Sequence, residues 1–288
     1  SYEIIVVSDG STDDTVEMVS QFKAPVSIRM FEQTNQGGAA ALNTGLREAR
    51  GNIILCLDDD VLPSPHLLEE HLKTHRSKGN CLVLGKLLLH SRLKRTPLVT
   101  FFEQSYEKHY QRMEQDPNNP RPYDLAGGNM SLPRDLLLDL GGFDEELGRI
   151  SDYDGELGYR LSLKGLKFIF NPRAMGYLTF LKNYDQRSRR EYDNGRSAVV
   201  QHRKHPESVW RLTLGNYRKA PIWRRLLREC LIRHKPDSRV VKTILFVIRG
   251  LEYPGIRAVL YPWYRLIFDY YFWLGVQVEA ASQGGIKR

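Results

Sequence analysis

The chain has 288 residues, enough for one large domain with its own core and an appended segment. Its three cysteines are odd in number and widely spaced, so the sequence predicts neither a disulfide framework nor a zinc site and favours a reducing compartment. The net charge of +8 comes from residues 182–249, which hold 18 Lys and Arg against 6 Asp and Glu; no nucleic-acid-binding motif accompanies them, and we expect no nucleic-acid partner.

Apolar strands alternate with helical segments through the first two thirds of the chain. Strands are predicted at residues 3–8, 26–31, 52–57 and 81–89, and helices at 12–22, 38–49, 64–77 and 97–115. Helices near 133–140 and 154–164 then precede strands near 167–170 and 174–180, and the remainder is mostly helical. This alternation predicts an α/β fold with a doubly wound, mainly parallel sheet.

Polar and small residues follow the first two predicted strands. The run Glu3–Ser8 leads into Asp9, and Ser11 with Asp14 three residues later has the pattern of a capping box at a helix start. The small residues Gly37–Ala41 open the next helix, where they allow close approach to a backbone end that favours anions. The structural alternative is an ordinary strand–turn–helix joint followed by tight packing of a helix on the sheet.

Three aspartates, Asp58, Asp59 and Asp60, close the apolar run 52–57. Ligands of open α/β sheets bind at the carboxyl ends of the strands. If the chain is still extended there, Asp58 and Asp60 face one side and offer two carboxylates to Mg²⁺ or Mn²⁺, which prefer oxygen ligands. A solvated acidic turn before the next helix is the alternative.

Six segments, in this order along the chain, resemble the family 2 glycosyltransferases of the GT-A fold. They are Val6–Thr15, Asn35–Gly45, Leu55–Asp60, Ala126–Ser131, Gly141–Glu145 and Asp154–Arg160. The resemblance covers residues 1–180 and departs from the family at the start, where the usual first strand, loop and helix are missing. The sequence therefore predicts a shortened chain, and this departure bears on the activity of the chain by itself.

The resemblance implies an inverting enzyme that moves a sugar from a nucleoside-diphosphate sugar to the hydroxyl of a saccharide or lipid-linked acceptor, in the synthesis of cell-surface polysaccharide or glycolipid. It implies Mn²⁺ or Mg²⁺ on Asp58 and Asp60 and a catalytic base at Asp154. The residues implied to bind the nucleotide or donor are Asp9, Asn35, Gly37, Asn43, Asp58, Asp59, Gly127, Gly128 and Asn129.

Several of these assignments have alternatives. Asp154 can instead be the N-cap of the helix 154–164, and Asp152 is the competing candidate for the base. Glu156 and Arg160 are four residues apart and can simply pair on that helix. For the whole protein, a noncatalytic binding protein of GT-A fold and a nucleotidyltransferase remain alternatives.

The sequence predicts a division into a catalytic, nucleotide-sugar-binding domain at 1–181 and a basic, aromatic-rich helical extension at 182–288. Residues 258–278 carry eight aromatic side chains, but Arg265, Asp269 and Pro262 interrupt the stretch, so no membrane span is predicted. We expect an amphipathic helix at an anionic membrane surface, or alternatively a packing helix. The expected location is the cytoplasm, with peripheral attachment to the inner face of the plasma membrane.

Overall fold

The computed structural model describes residues 1–211, 214, 221–234, 236, 238–250 and 257–282. Contacts divide the chain into two units, which are Ser1–Leu88 with Tyr110–Tyr177, and Leu89–His109 with Leu178–Arg288. The predicted boundary at residues 181–182 differs slightly from this division, which also assigns 89–109 to the second unit. The roles predicted for the two domains stay predictions.

The elements of the first unit follow the predicted order closely. Its strands are β1 (Glu3–Asp9), β2 (Ser27–Gln33), β3 (Ile53–Leu57), β4 (Val61–Pro63), β5 (Cys81–Leu89), β6 (Asn129–Pro133) and β7 (Lys167–Leu178). Its helices are α1 (Thr15–Gln21), α2 (Gly38–Glu48), α3 (Leu67–Lys78), α5 (Arg134–Asp139), α6 (Glu145–Gly148) and α7 (Asp154–Leu163), and α4 (Pro97–Gln115) runs through both units. The α/β class is confirmed. The two strands predicted near 167–170 and 174–180 are one strand, β7.

The strands form a parallel pair, β1–β2, and a five-stranded sheet in the order β3–β6–β5–β7–β4. Strand β6 is antiparallel to both β3 and β5. The prediction of a mainly parallel sheet is therefore corrected at β6. This strand enters the sheet between β3 and β5 and runs opposite to both, and strand periodicity does not encode such a direction.

The pairing of β3 with β6 brings two distant segments together. Leu57 lies opposite Asn129, and one step further the backbone N–H of Asp58 donates to the carbonyl of Gly128 at 3.3 Å. The chain then turns, because the backbone N–H of Val61 donates to the carbonyl of Asp58 at 3.1 Å. The extended geometry assumed for residues 58–60 is therefore wrong, and side-chain alternation does not decide which way these aspartates point.

The start of α1 also differs from the prediction. Asp14 occupies the N-cap position without a side-chain capping bond, while the Asp13 carboxylate accepts from the backbone N–H of Thr15 at 3.2 Å. The backbone N–H of Ser11 donates to the Ser8 hydroxyl at 3.2 Å instead of joining a capping box. The turn after β1 is thus held by the strand's own last residues.

Most of the described residues of the second unit are helical. Its helices after residue 178 are α8 (Tyr184–Lys204), α9 (Ile222–Ile232), α10 (Arg239–Gly250) and α11 (Arg257–Ser282), with a 3₁₀ turn at Pro206–Arg211. The mostly helical prediction also covers residues 212–213, 215–220, 235, 237, 251–256 and 283–288, which lie outside the described residues.

Helix α11 is the centre of this unit. Its buried side chains include Leu260, Tyr264, Ile267, Phe268, Tyr270, Phe272 and Trp273. It crosses α8 so closely that a Cβ atom at Gly195 would overlap the carbonyl of Phe272, and one at Gly275 would overlap that of Tyr192. Five of the eight aromatic side chains of 258–278 are thus buried in a core, which supports the packing-helix alternative, while Trp263 is exposed. Attachment to a membrane surface stays a prediction.

Within the described part of the chain, no helix is both long and apolar enough to cross a bilayer.

Candidate active site

Two successive glycines lie against two of the predicted carboxylates. The backbone N–H of Gly127 donates to Oδ2 of Asp154 at 2.9 Å. A Cβ atom at Gly127 would lie 2.6 Å from Oδ1 of Asp154, and one at Gly128 would lie 2.5 Å from Oδ2 of Asp58. The turn that precedes β6 therefore joins the end of β3 to the start of α7, and glycine gives both carboxylates their space.

A buried thiol reports the same proximity. The pKa of Cys56, on β3, is raised to about 12, chiefly by burial and further by the negative charges of Asp154 and Asp58. A thiol held neutral between two carboxylates adds no competing negative charge there. The site is therefore electronegative, as a cation site must be before the cation binds.

Asp154 is the first residue of α7, but the N-cap position belongs to Tyr153, whose side chain makes no capping bond. The carboxylate of Asp152 accepts from the backbone N–H of Gly155 at 3.4 Å. This short-range contact with the helix start is the one expected of a capping side chain. Asp152 thus caps the start of α7, which was the alternative role for Asp154. The Asp154 carboxylate instead contacts Gly127.

Asp9 holds the loop that follows β2. Its carboxylate accepts from the side chain of Gln33 and from the backbone N–H groups of Gln36 and Gly37, each at 2.8 Å. Burial acts to raise the pKa of Asp9, but these hydrogen bonds outweigh it and the pKa is lowered. The negative charge of Asp9 is thus committed to shaping the loop, and exposed Asn35 lies within that loop.

Gly37 has the backbone conformation that side chains disfavour, with φ at +97°, and a Cβ atom there would lie 2.7 Å from the carbonyl of Gly148. The start of α2 therefore packs against the end of α6. For Gly37 and Asn35, donor binding stays a prediction.

Asn43 is used inside the protein. Its amide donates to the carbonyl of Phe143 and to the Glu145 carboxylate at 2.9 Å each, and its carbonyl accepts from the backbone N–H of Phe143 at 2.8 Å. A side chain buried with these bonds positions the 142–145 loop. For Asn43, donor binding stays a prediction.

Asn129 is also buried, at the start of β6. Its amide donates to the carbonyl of Ala174 at 2.9 Å, and its carbonyl lies 2.9 Å from Nε2 of His71. Ser131 continues this network, because its hydroxyl lies 2.8 Å from both Nδ1 of His71 and Nε2 of His75. Asn129 thus ties β6 to β7 and α3. Donor binding by Asn129 stays a prediction.

Sequence reasoning missed this polar network. The available signal was a pair of histidines four residues apart on α3 together with a serine inside an apolar strand. Burial lowers the pKa of His71 to about 4, with a further contribution from His75 and opposition from the hydrogen bond to Asn129. His71 is therefore neutral in the folded protein, and the network holds the strand that carries the Gly127–Gly128 turn.

The sequence model of glycosyl transferase family 2 matches residues 1–141. Residues 1–141 belong to this family. The chain is 28% identical to chondroitin synthase of Escherichia coli over 206 residues, covering 61% of this chain and 30% of that protein. It is 27% identical to an uncharacterized glycosyltransferase of Bacillus subtilis, YfnE, over 219 residues, covering 58% of this chain and 54% of that protein.

The matched part spans between about a third and a half of the length of these two relatives. Among solved structures, it resembles the mannosyltransferase PcManGT of Pyrobaculum calidifontis, determined with GDP-Man and Mn²⁺, with a TM-score of 0.62 and 20% identity. That match covers 96% of this chain and 77% of the other. The GT-A-type fold is confirmed.

Glu156 and Arg160 on α7 pair with each other, as the structural alternative in the sequence analysis expected. Glu156 is buried and pairs with Arg160, whose Nε lies 2.7 Å from the carboxylate. Arg160 also donates to the carbonyls of Leu140 and Gly142, at 2.8 Å each. The pair is therefore structural, and it fixes the Gly-Gly-Phe loop that Asn43 holds from the other side.

The donor set at the end of β3 suits a hard divalent cation. Asp58 and Asp59 are exposed and Asp60 is half-buried, and all three offer carboxylate oxygens. Among the described residues, no group of three or more His, Cys, Asp or Glu side chains is arranged to hold a metal ion. A cation there would therefore need further oxygens from a substrate, which is the usual situation for Mg²⁺ and Mn²⁺ with a diphosphate.

Proposed function

We propose that this chain is the catalytic part of an inverting glycosyltransferase. It would move a sugar from a nucleoside-diphosphate sugar to the hydroxyl of a saccharide or lipid-linked acceptor, in the synthesis of cell-surface polysaccharide or glycolipid. The observation that carries the proposal is the contact of one glycine turn with both Asp58 and Asp154. The reaction requires positive charge for the leaving diphosphate and a base for the acceptor proton. Asp58 would help to hold a cation that supplies the charge, and Asp154 would supply the base beside it.

Asp154 would act as general base. The acceptor oxygen forms the new bond to the anomeric carbon while the bond from that carbon to the diphosphate oxygen breaks, and Asp154 takes the acceptor proton. One displacement from the opposite face inverts the anomeric centre. The Gly127 N–H fixes the orientation of the carboxylate, which is what general base catalysis requires.

Asp58 and Asp60 would hold Mn²⁺ or Mg²⁺, and such an ion would supply positive charge that stabilises the departing diphosphate. Asp59, Gly127 and Gly128 would lie along the donor. Asp9 would act indirectly, since its carboxylate shapes the 35–37 loop. The complex of the Pyrobaculum mannosyltransferase with GDP-Man and Mn²⁺ supports a donor and cation of these classes.

The proposed acceptor and location follow from charge. The surplus of basic residues at 182–249 suits an anionic surface, and a lipid-linked acceptor would be met there. We therefore place the protein in the cytoplasm, in peripheral contact with the inner face of the plasma membrane.

A donor screen tests the function. The full-length protein is incubated with a panel of nucleoside-diphosphate sugars and Mn²⁺, and release of nucleoside diphosphate is measured beside the Asp154→Asn variant. We expect one donor to be hydrolysed or transferred, with the variant far slower. Diphosphate released from a nucleoside triphosphate and a sugar phosphate would instead establish a nucleotidyltransferase. Tight binding without turnover of any donor would establish a noncatalytic protein.

A further inference from the structure

Helix α9 packs against α11 through its charged side. Arg228 is 1% exposed, and its Nη1 lies 3.3 Å from the carboxylate of Asp269 on α11. Its guanidinium carbon also lies 5.1 Å from the ring centre of Trp273. Arg224 approaches the same carboxylate at 3.8 Å. Two arginines of α9 thus point inward, against the usual orientation of an amphipathic helix.

The apolar side of α9 points to solvent. Ile222 is 72% exposed and Leu226 is 62% exposed, and Trp223 and Leu227 are exposed beside them. At 100° per residue these four positions cover an arc of about 140° on the helix. A single exposed apolar residue is ordinary, but a contiguous set of four on one face marks an interaction surface.

Helix α10 adds a second exposed apolar face. Its Val241 is buried in a cluster that also contains Leu231 of α9 and Tyr270 of α11. On its other side Phe246 is 77% exposed, and Val240 and Val247 are exposed within the same arc. Both helices therefore pack into one cluster and present apolar residues on their opposite sides.

The charge around the exposed faces of α9 and α10 indicates which kind of partner they bind. Residues 221–250 hold eight Lys and Arg against two acidic residues. Exposed cations include Arg233, between the two helices, and Arg239 and Lys242 on α10. Trp, Phe and Leu on an exposed face with surrounding cations are typical of helices that lie in the interface of an anionic bilayer. A second copy of this chain would bring the same positive charge to the contact, which disfavours self-association.

We propose that α9 and α10 form a surface that binds anionic phospholipid bilayers, with Trp223, Leu226 and Phe246 inserted at the level of the headgroups. The surface differs from the stretch 258–278, in which most of the aromatic side chains are buried. This proposal rests on the membrane location given under the proposed function and names the surface responsible. Binding to lipid does not depend on sugar transfer, so a failure to bind vesicles would remove the membrane location while the donor screen still tests sugar transfer.

Vesicle co-sedimentation of the full-length protein tests the proposal. We expect binding to phosphatidylcholine vesicles that contain phosphatidylglycerol, weaker binding to pure phosphatidylcholine, and release as the salt concentration rises. The double variant Trp223→Ser with Leu226→Ser should lose at least about tenfold in binding, since each apolar side chain removed from the interface weakens it. Met18→Ser with Phe22→Ser is the matched control, because both side chains are similarly exposed in the first unit.

A second measurement uses Cys230, which is exposed on α9 while Cys56 and Cys81 are buried. The emission of an environment-sensitive fluorophore on Cys230 should shift to the blue when anionic vesicles are added.

The serine substitutions replace exposed side chains, so we expect them to leave the fold intact. Unchanged thermal unfolding of both double variants will show this.

Three results would overturn the proposal. The natural protein fails to bind anionic vesicles at low salt, or the double variant binds as well as the natural protein. Alternatively, the natural protein forms a dimer without lipid and the double variant is a monomer, in which case the face belongs to a second copy.

Discussion

The backbone N–H of Gly127 donates a hydrogen bond to Oδ2 of Asp154 at 2.9 Å. The two residues are 27 positions apart in the chain. This bond fixes the first turn of α7 against the turn that precedes β6. Because Gly128 lies against Asp58, the same turn also sets the position of the acidic end of β3. The two carboxylates are thus placed relative to each other by one short segment of backbone.

Replacing Asp154 by Asn should separate binding from transfer. The amide keeps the shape of the side chain but cannot accept the acceptor's proton at neutral pH. We expect near-normal affinity for the donor and a transfer rate reduced by about two to four orders of magnitude. Asp152→Asn is the control, since an amide oxygen can still accept from Gly155. Steady-state kinetics that show the large loss for Asp152→Asn instead would make Asp152 the base.

Metal dependence should follow the carboxylates after β3. Asp60→Ala should abolish the divalent-ion-dependent binding of a nucleoside diphosphate, and Asp58→Ala should weaken it, because each removes an oxygen ligand. Asp135→Ala removes one carboxylate at the opposite end of the β3–β6 pair, where Arg134 bonds to the carbonyl of Asn52. Calorimetry should show normal binding for Asp135→Ala. Unchanged nucleotide affinity in Asp60→Ala would rule out the assignment.

Alanine at the two glycines should disturb function more than stability. At Gly128 the new methyl group would displace the Asp58 carboxylate, and at Gly127 it would displace that of Asp154. Each displaced group is the end of a side chain, so the fold can absorb the change. We expect Gly128→Ala mainly to weaken nucleotide binding and Gly127→Ala mainly to lower kcat.

Gly45→Ala is the control for those two variants. Its Cβ atom would lie at an ordinary 3.6 Å from Val7, and alanine in a helix is more stable than glycine by about 0.5–1 kcal/mol. Its kinetics should match those of the natural protein. Normal KM and kcat in both turn variants would show that neither carboxylate acts from this position.

Stability should fall as the pH drops below about 6.5. The pKa of His71 is about 4 in the fold, chiefly because of burial, so between these values the unfolded chain binds a proton that the native state does not. The contribution of neutral His71 to the free energy of unfolding is complete above the unfolded pKa. It is lost as the pH falls towards 4, and the total loss is about 3 kcal/mol. Burial also lowers the pKa of His75, which acts in the same direction.

Denaturant unfolding across this pH range measures that effect. His71→Gln should flatten the pH dependence, whereas His66→Gln, at an exposed position, should leave it unchanged. An equal slope in the natural protein and in His71→Gln would show that His71 is not its source.

The local pattern of the sequence determined most elements of the first unit. Strand β5 and helix α4 have the predicted bounds, and β1, α2, β3 and α7 differ from theirs by one or two residues. Apolar periodicity encodes these elements because each must bury one side of its own segment. The six family 2 motifs likewise lie in local sequence, so the family could be predicted from the chain alone.

Only the tertiary structure decided what the polar residues contact. Asn43 and Asn129 belong to motifs implied to bind the donor, yet both are buried and bonded to distant backbone. The resemblance favoured Asp154 over Asp152 as the base, but only the structure shows that Asp154 accepts from Gly127 while Asp152 accepts from Gly155. Hydrogen-bond partners come from segments far apart in the chain, and no local pattern specifies them.

Composition determined that residues 182–288 are basic and rich in aromatic side chains, but not which side of each helix is exposed. Most aromatic residues of α11 are buried because α8, α9 and α10 supply apolar and small residues against it. Helix α9 is exposed on its apolar side because Asp269 and Trp273 pair with its arginines. An amphipathic sequence defines two sides of a helix, and the partners that it meets in the fold determine which of them is buried.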